Sequence, residues 1–436
     1  MRTGRIARVG SIFFVALAVV ACSNTPSTTV LTSSAGLATP PPIPSATAVP
    51  SSAAPATPSP VPTPSPSPSP TPSPRPMAPA TLKPGPALTT ARTGQAAVRL
   101  GDGRVLIMGG FVPPTGPCAM ACIQPTTASV EIYNPRTGKF SPNGSLAGAR
   151  TDGNALLLKD GRVLVWGGSQ SGGDSNSMEI YDPAKKVSVV VKPPAVTQSL
   201  PFDPTVVLLA DGKVLIAGDY YYGSTTNVTM IFDPSSGGYS NGPFMAKPRQ
   251  GATGTLLNDG RVLIVGGDYL QDNNDYQSNT AELIDPSHPL SQSTVLVPHD
   301  NPVSSALLSD GRVLVAEESS RDTGVPCGTR VVWEVFDPRT ETFTPVGPMS
   351  TPRSGSSAIK IADGRVLLIG GVDATCAAVG TVEAFDPDSG TFQVIATGFP
   401  KITSFSATLL DDGEILIAGG QGNDLVMTAA TWLLKP

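Results

Sequence analysis

Histidine and charged residues are scarce in this sequence, and their scarcity narrows the chemistry that it supports. The 436 residues include two histidines, His288 and His299, and only 14% charged residues, with a formal net charge of -5. Without a basic excess there is no electrostatic footprint for nucleic acid. Two histidines, with no nucleophile motif or phosphate-binding loop, are too few for most metal or catalytic centres. We therefore predict no metal site, no other cofactor and no nucleic-acid partner.

Long apolar runs are also missing, which argues against a membrane-spanning helix. The apolar stretch over residues 9–21 follows Arg2, Arg5 and Arg8. It is shorter than the ~20 residues that a spanning helix needs. Basic residues before a short apolar run are typical of a signal peptide, which we assign to residues 1–21.

The end of that run carries a more specific signal. The letters VVAC, with Ala21 before Cys22, resemble the lipobox of bacterial lipoproteins. The resemblance implies that Cys22 is lipidated. It also implies an extracytoplasmic, membrane-anchored lipoprotein of a bacterium, at the cell surface or in the periplasm, whose one membrane contact is the lipid anchor. The alternative is an ordinary secretory signal with an incidental cysteine.

Proline is abundant, but it is concentrated in the first hundred residues. Residues 22–79 consist mainly of Pro, Ser, Thr and Ala and include the run PTPSPSPSPTPSPRP. Such a composition offers little apolar surface to offset the entropy of ordering. We therefore predict a disordered, semi-rigid Pro/Ser/Thr-rich stalk after Cys22.

An Asp-Gly pair followed by an apolar run recurs through the rest of the chain. The first copy reads DGRVLIMGG, and successive copies are ~50 residues apart, which is a propeller-like period. The copies begin at Asp102, Asp160, Asp211, Asp259, Asp310, Asp363 and Asp412. Asp-Gly favours a tight hairpin turn, and the apolar run after it predicts a strand that is buried on both faces.

A second phrase, such as EVFDP from Glu334, follows each of the first six copies. Its proline removes a donor from the strand ladder, so it should end a strand. An aromatic residue follows the phrase at Phe140, Tyr239, Phe343 and Phe392. Together these features resemble the Kelch repeat. The resemblance implies an all-β fold, a seven-bladed Kelch-type β-propeller over residues 80–436 with four antiparallel strands per blade.

The last blade lacks room for its fourth strand, because the chain ends at Pro436. The repeat spacing places Leu82 where the aromatic residue of the other blades lies. We therefore predict that an N-terminal strand closes the ring, which would remove an open sheet edge.

Arginine and glutamate recur together in four blades. The pairs are Arg92 with Glu131, Arg150 with Glu179, Arg249 with Glu282, and Arg353 with Glu383. We predict structural ion pairs across the intervening strand, whose Gly-Gly would clear a path for the guanidinium. The alternative is a ring of arginines that binds an anionic ligand. In blade 5, Asp300 and Glu334 occupy these positions, and Glu317-Glu318 replace the glycines. We expect solvated carboxylates there, and the alternative is an acidic cluster that takes a cation.

Loop lengths vary most after the second strand of each blade, which makes one face of the propeller the adaptable one. Two of these loops, in blades 3 and 4, are rich in tyrosine with interleaved acids and amides, which suits stacking and hydrogen bonding to a sugar or a peptide. The candidate ligand-binding residues are Tyr220, Tyr221, Tyr222, Asp268, Tyr269, Asp275 and Tyr276. The alternative is that these are ordinary polar loops.

Four cysteines, Cys118, Cys122, Cys327 and Cys376, also fall in these loops. Export favours disulfides, for which three connectivities are possible. We favour Cys118 with Cys122 and Cys327 with Cys376, because the latter two lie in equivalent loops of neighbouring blades. Zinc binding is the alternative, although the wide spacing argues against it.

The sequence therefore favours a monomeric, surface-tethered, non-catalytic binding or scaffold propeller that recognises a protein or glycan ligand. The alternative is a glycan-acting extracytoplasmic enzyme of galactose-oxidase-like or carboxylate-hydrolase type. The galactose-oxidase group, which this repeat resembles, needs histidine and tyrosine ligands for copper in one site. Two histidines fall short of that set.

Overall fold

The structure, a computed structural model, describes residues 75–114, 124–170, 173–174, 177–194, 204–221, 224–271, 274–288, 292–296, 302–319 and 330–436. Every regular element in these ranges is a β-strand, and they contain no helix long and apolar enough to cross a membrane. The predicted signal peptide, Cys22 and the stalk up to Pro74 lie outside the described residues, so those three predictions stay predictions.

The described strands are short and run through the whole propeller. In chain order they are β1 (Thr81–Pro84), β2 (Ala96–Arg99), β3 (Val105–Met108), β4 (Ser129–Asn134), β5 (Lys139–Ser145), β6 (Asn154–Leu157), β7 (Val163–Trp166), β8 (Ser169–Gln170), β9 (Gly173–Asp174), β10 (Met178–Asp182), β11 (Val187–Val190), β12 (Thr205–Leu208), β13 (Val214–Tyr221), β14 (Ser224–Asp233), β15 (Gly238–Asn241), β16 (Thr253–Leu256), β17 (Val262–Val265), β18 (Asp268–Gln271), β19 (Asn274–Gln277), β20 (Thr280–Ile284), β21 (Gln292–Leu296), β22 (Pro302–Leu307), β23 (Val313–Ser319), β24 (Arg330–Asp337), β25 (Thr342–Pro345), β26 (Ser357–Lys360), β27 (Val366–Ile369), β28 (Thr381–Asp386), β29 (Thr391–Thr397), β30 (Ile402–Thr403), β31 (Ser406–Leu409), β32 (Ile415–Ala418), β33 (Gln421–Gly422) and β34 (Thr431–Lys435).

These strands pair into seven four-stranded antiparallel blades. Blade 1 is β2–β5, blade 2 is β6, β7, β10 and β11, blade 3 is β12–β15, blade 4 is β16, β17, β20 and β21, blade 5 is β22–β25, blade 6 is β26–β29, and blade 7 is β31, β32, β34 and β1. Three two-stranded ladders, β8–β9, β18–β19 and β30–β33, complete the pairing among the described strands. The predicted seven-bladed, all-β propeller with four strands per blade is confirmed.

The core lies between neighbouring blades, and this explains the continuous apolar run in each second strand. In β3, Leu106 packs against Val163 and Val165 of blade 2, whereas Ile107 packs against Leu416 of blade 7. Alternate side chains of one strand point to opposite faces, so a strand between two neighbours needs apolar residues on both. Each fully buried side chain of this kind contributes ~1.5–3 kcal/mol.

The ring is closed by the N-terminal strand, as the repeat spacing predicts. In β1, Leu82 lies opposite Leu434 of β34. In blades 1, 3, 5 and 6 the equivalent pair is aromatic, for example Phe336 and Phe343 with ring centroids 4.8 Å apart. Leucine takes both places in blade 7, so a methyl-rich contact replaces the aromatic one.

Residues 75–79, upstream of the predicted boundary at residue 80, pack onto the propeller. The Arg75 backbone N–H and side chain donate to the two carboxylate oxygens of Asp386, both at 3.2 Å. Met77 and Ala80 pack against the core, and the Ala80 N–H donates to the Ile395 carbonyl at 2.7 Å. This leading segment therefore crosses blade 6 before it joins blade 7 as β1.

Candidate functional site

The propeller has two faces of different construction. The turn face carries the Asp-Gly turns and the Asp-Pro turns, which are the short connections within each blade. The loop face carries the longer connections between the second and third strands and the links from one blade to the next. Because strands in each blade are antiparallel, the two kinds of connection emerge at opposite ends of the sheet.

On the turn face, the arginine after Asp-Gly ties neighbouring blades together. Arg162 Nη2 donates to the carbonyl of Pro234 at 2.7 Å, and Arg312 Nη2 donates in the same way to Pro387. In blade 6 the acceptor for Arg365 is the Arg75 carbonyl at 3.1 Å. Sequence reasoning missed this contact, although the recurrence of DGR beside Asp-Pro was its signal.

On the loop face, blades 3 and 4 carry extended hairpins. In blade 3, β13 and β14 continue past Gly218 after a bulge, and Tyr221 pairs with Ser224. In blade 4, β18 and β19 form a separate hairpin in which Tyr269 pairs with Tyr276. The two hairpins lie side by side through β14 and β18.

The structure therefore brings together the backbones of most of the predicted tyrosine-loop residues. Tyr220 pairs with Thr225 in the blade 3 hairpin, and Asp275 pairs with Leu270 in the blade 4 hairpin. The base of the blade 4 hairpin is fixed by Asp268, whose backbone N–H and carbonyl both bond Gln250 at 2.9 Å. Tyr222 lies outside the described residues.

The four Arg–Glu pairs predicted from the repeat lie in the structure as buried ion pairs. The distances from Nη2 to Oε1 are 2.8 Å for Arg92 and Glu131, 2.6 Å for Arg150 and Glu179, 2.6 Å for Arg249 and Glu282, and 2.5 Å for Arg353 and Glu383. All eight residues are buried. Burial lowers the pKa of each arginine, and the partner carboxylate opposes that shift.

Each pair belongs to a larger hydrogen-bonded unit. In blade 4, Arg249 Nη1 donates to the carbonyls of Gly266 and Thr280, and Glu282 Oε2 accepts from the Ala246 backbone N–H at 2.6 Å. The equivalent contacts recur in the other three blades. The arginines are therefore enclosed by protein, with no exposed guanidinium surface for an anion.

A hydroxyl residue two positions before the glutamate completes the unit, and sequence reasoning missed it. Arg Nη2 donates to this hydroxyl in all four blades, through Ser129, Ser177, Thr280 and Thr381. Blades 3, 5 and 7 have Val228, Val332 and Ala430 at this position. The hydroxyl is therefore present where the arginine is present, and this correlation was readable in the sequence.

The Gly-Gly pair serves a different purpose from the one predicted. Gly109 and Gly110 both have positive φ, at 67° and 101°. A Cβ on Gly109 would lie 2.5 Å from the carbonyl oxygen of Arg150, and the Gly110 N–H donates to the same carbonyl at 2.8 Å. The glycines thus permit a left-handed backbone and a close approach of the next inter-blade link. They do not simply clear a path for the guanidinium.

Blade 5 departs from the repeat in a way that corrects one expectation. With glutamates in place of the glycines, β23 continues in register through Glu317, which pairs with Val332. Glu334 is fully buried, so the expectation of a solvated carboxylate is wrong for this residue. Asp300 lies outside the described residues.

One carboxyl on the loop face is strongly perturbed. Asp152 follows Thr151 in the link from blade 1 to blade 2 and has a positive φ of 52°. Its backbone N–H donates to the Gly94 carbonyl at 2.7 Å, and the Thr151 hydroxyl donates to its carboxylate at 3.2 Å. Burial raises the pKa of Asp152 to about 6, and the Thr151 hydroxyl opposes the shift.

Of the four loop cysteines, the described residues include Cys376. Cys376, in the loop of blade 6, is disulfide-bonded. Cys118, Cys122 and Cys327 lie outside the described residues, so the predicted pairing of Cys327 with Cys376 stays a prediction.

Comparison with known proteins shows similarity of fold. No family model matches the chain, and no curated protein matches it. Among solved structures, a fungal alcohol oxidase of the AA5 family in complex with copper is similar with a TM-score of 0.60 and 16% sequence identity. The similarity covers 81% of this chain and 76% of that one. At this level of identity it supports the propeller fold alone.

The described residues do not fit a copper centre of the kind bound by that oxidase. His288 lies in the Asp-Pro turn of blade 4 with its Nδ1 2.9 Å from Asp285 Oδ2, on the turn face and away from the tyrosine hairpins. Among the described residues, no three His, Cys, Asp or Glu side chains gather as metal ligands would. His299 lies outside those residues.

Proposed function

We propose that this protein is an extracytoplasmic, lipid-anchored binding propeller that acts as a monomer and recognises a protein or glycan ligand through its loop face. The observation that carries the proposal is the pair of adjacent hairpins in blades 3 and 4. They bring the backbones of Tyr221, Tyr269 and Tyr276 to one side of the rigid ring. Loops held on a rigid scaffold are common sites of recognition.

The position of the leading segment supports the same face. Arg75 contacts the Asp-Pro turn of blade 6, because its side chain lies 3.2 Å from Asp386 and 3.3 Å from Asp388. Arg75 therefore packs on the turn face and leaves the loop face uncovered.

A binding screen tests the proposal directly. The full chain carrying Cys22→Ser, and so free of lipid, is applied to glycan and peptide arrays. For any ligand found, we expect the triple variant Tyr221→Ala, Tyr269→Ala and Tyr276→Ala to lose ~1–3 kcal/mol of binding free energy, as aromatic contacts at interfaces do. Binding that survives in a folded triple variant would refute the assignment to these hairpins.

The control variant is Lys139→Ala on β5. Lys139 is exposed and sits beside the turn face. Arg162 is a poorer control, because it bonds the Pro234 carbonyl of the next blade and its loss would affect stability. Unchanged affinity in Lys139→Ala, with unchanged melting, would assign the effect to the loop face.

The lipid anchor has a separate test. The VVAC letters before Cys22 motivate it. We expect Cys22→Ser to move the protein from the membrane fraction to the soluble fraction of the envelope, because an acyl anchor supplies the membrane affinity. A variant that fractionates like the wild type would overturn the lipoprotein assignment.

A second candidate function is a glycan-acting oxidase, and the similarity to the fungal alcohol oxidase favours it. Metal analysis of the purified chain, followed by oxidation assays with sugars and simple alcohols, decides between the two. Stoichiometric copper together with turnover would establish the enzyme. Sugar binding without turnover and without copper would establish the binding propeller.

A further inference from the structure

The loop of blade 7 carries a strained turn that displays two aliphatic side chains. Leu425 has a φ of 62°, in the left-handed region that bulky side chains avoid. Leu425 is 61% exposed and its neighbour Val426 is 63% exposed. Among the described residues, Leu425 is the only aliphatic side chain with positive φ.

The surrounding hydrogen bonds fix this turn. The Leu425 N–H donates to the Gly422 carbonyl at 2.9 Å, and the Gly422 N–H donates to the Val426 carbonyl at 3.1 Å. The Val426 N–H donates to Asp424 Oδ1 at 3.1 Å. Asn423 reaches the neighbouring loop of blade 6, where its Oδ1 accepts from the Ala378 N–H at 3.1 Å. The aliphatic pair is therefore presented in one conformation.

The neighbouring blade contains the same turn with a different residue at the strained position. In blade 6 the Cys376 N–H donates to the Asp373 carbonyl, and the Asp373 N–H donates to the Ala377 carbonyl, both at 2.9 Å. Cys376 has a φ of 64° and is disulfide-bonded. In blade 6 a covalent bond accompanies the strained residue, whereas in blade 7 that residue is an exposed leucine.

The strain and the exposure of Leu425 both disfavour the isolated protein. Glycine or asparagine would adopt this backbone with less strain, and a polar residue would suit the solvent better. Residues held in such conformations cluster at functional sites. An exposed apolar pair in an ordered loop gains from burial only when a partner covers it.

We propose that Leu425 and Val426 form a docking knob for a protein segment that covers them with apolar side chains and carries basic side chains beside them. This inference rests on the proposed loop-face function and narrows the ligand class to protein. The turn over residues 421–427 contains no aromatic side chain on which a sugar would stack. The charged side chain of this turn is the exposed Asp424, which favours a basic partner and disfavours an anionic bilayer. In the equivalent turn of blade 6, Lys401 offsets the charge of Asp373.

The test uses the full chain with Cys22→Ser and a phage-displayed library of random peptides as the probe. We expect the selected peptides to combine apolar residues with Lys or Arg. Leu425→Asn should weaken their binding by about tenfold or more, as the loss of a central apolar contact does. Because asparagine tolerates positive φ, this variant should melt at or above the wild-type temperature, so lost binding would not reflect unfolding.

Two further variants sharpen the result. Val426→Ser should weaken the same peptides. Val189→Ser, at an equally exposed valine on the outer strand of blade 2, should leave them unaffected. Vesicles of phosphatidylcholine, with and without phosphatidylglycerol, form a parallel arm in which no Leu425-dependent binding is expected.

Three results would overturn the inference. Peptides that bind Leu425→Asn as well as the wild type would show that the knob is not the site; if the tyrosine variants then lose binding, the loop-face proposal stands. Vesicle binding that depends on Leu425 would make the turn a membrane contact. Failure to select any peptide would refute the protein partner. If no glycan on the array bound either, the proposed function itself would be refuted.

Discussion

At the residue scale, the propeller repeats one buried polar unit four times. An arginine from the link between blades meets a glutamate and a hydroxyl from the third strand of its own blade, and its own carbonyl accepts from the preceding blade, as Arg150 does from Gly110. A buried charge is tolerated when it is paired and well hydrogen-bonded. Both terminal nitrogens of each guanidinium donate, whereas the Nε–H has no hydrogen-bond partner among the described residues in three of the four units. The unit therefore joins two blades through a buried ion pair and buried hydrogen bonds.

Removing one partner of such a unit should be far more damaging than removing both. We predict that Arg249→Met destabilises the protein by ~3–5 kcal/mol, because it leaves the Glu282 carboxylate buried without its cation. The double variant with Glu282→Met should recover part of this loss. The measurement is chemical denaturation of both variants, with Arg339→Met on the exposed Asp337 pair as the control, expected to cost less than ~1 kcal/mol. Equal losses for the single and double variants would contradict the role given to the pair.

Asp152 should make stability depend on pH. Its pKa in the folded protein is raised to about 6 from the usual aspartate value of 3.8. The folded state therefore holds this proton over a range in which the unfolded state has lost it, so stability is greatest below the unfolded pKa and falls as pH rises towards 6. We predict that Asp152→Asn, which also tolerates positive φ, raises the melting temperature relative to wild type more at neutral pH than at pH ~4. A difference that is the same at both pH values would show that Asp152 is not the titrating group.

At the element scale, the second strand of five blades ends where two left-handed glycines turn the chain. Gly109 and Gly110 stop β3 in this way, whereas blade 5 has glutamates there and its β23 runs on. In blade 3, Gly218 is followed by Asp219, and β13 continues after a bulge. Strand length on the loop face is therefore decided by whether a Gly-Gly pair is present at the end of the apolar run.

Gly109→Ala tests both contributions when it is compared with Gly138→Ala. The two glycines have nearly equal φ, 67° and 64°. A Cβ at Gly109 would meet the Arg150 carbonyl at 2.5 Å, whereas a Cβ at Gly138 has no described atom within 4 Å. Each variant should lose ~1–2 kcal/mol to left-handed strain, and Gly109→Ala should lose more because the link must move. Comparable losses by thermal denaturation would mean that the close approach has no energetic weight.

At the scale of the whole molecule, stability depends on closing the ring from the N-terminus. The leading segment packs Met77, Ala80 and Leu82 against the core shared by blades 6 and 7, and Lys83 on β1 pairs with Glu414 at 2.7 Å. Without β1, the outer side of β34 would be an unpaired edge. The contact of Arg75 with Asp386 adds to this packing at the Asp-Pro turn of blade 6.

Two truncations should separate the stalk from the closing strand. Deletion of residues 23–74 should leave the melting temperature unchanged, because the Pro, Ser, Thr and Ala of the predicted stalk offer little apolar surface to pack against the propeller. Deletion through Pro86 should lower it substantially and promote association, because β1 and its apolar contacts are lost. Thermal denaturation with light scattering distinguishes the two, and equal melting temperatures would refute the role of β1.

The sequence predicted the fold in detail because the repeat is local and periodic. Asp-Gly turns, apolar second strands and Asp-Pro endings each depend on a few adjacent residues. Counting the copies also predicted that the fourth strand of blade 7 comes from the N-terminal side of the repeats. The spacing also predicted the ion pair of Arg92 and Glu131, whose side chains lie 2.8 Å apart. The hydroxyl at Ser129 was equally periodic and was overlooked.

What the sequence alone determined is the set of blades, their register and the strand that closes them, since these follow from local turn chemistry and from the alternation of buried faces. Only the tertiary structure decided the contacts between blades: the link carbonyl that requires glycine at Gly109, the burial of Glu334 and the raised pKa of Asp152. It also placed His288 on the turn face and held Leu425 exposed in a strained turn. These features depend on how close two distant segments approach each other in the closed ring, and a single repeat does not encode that distance.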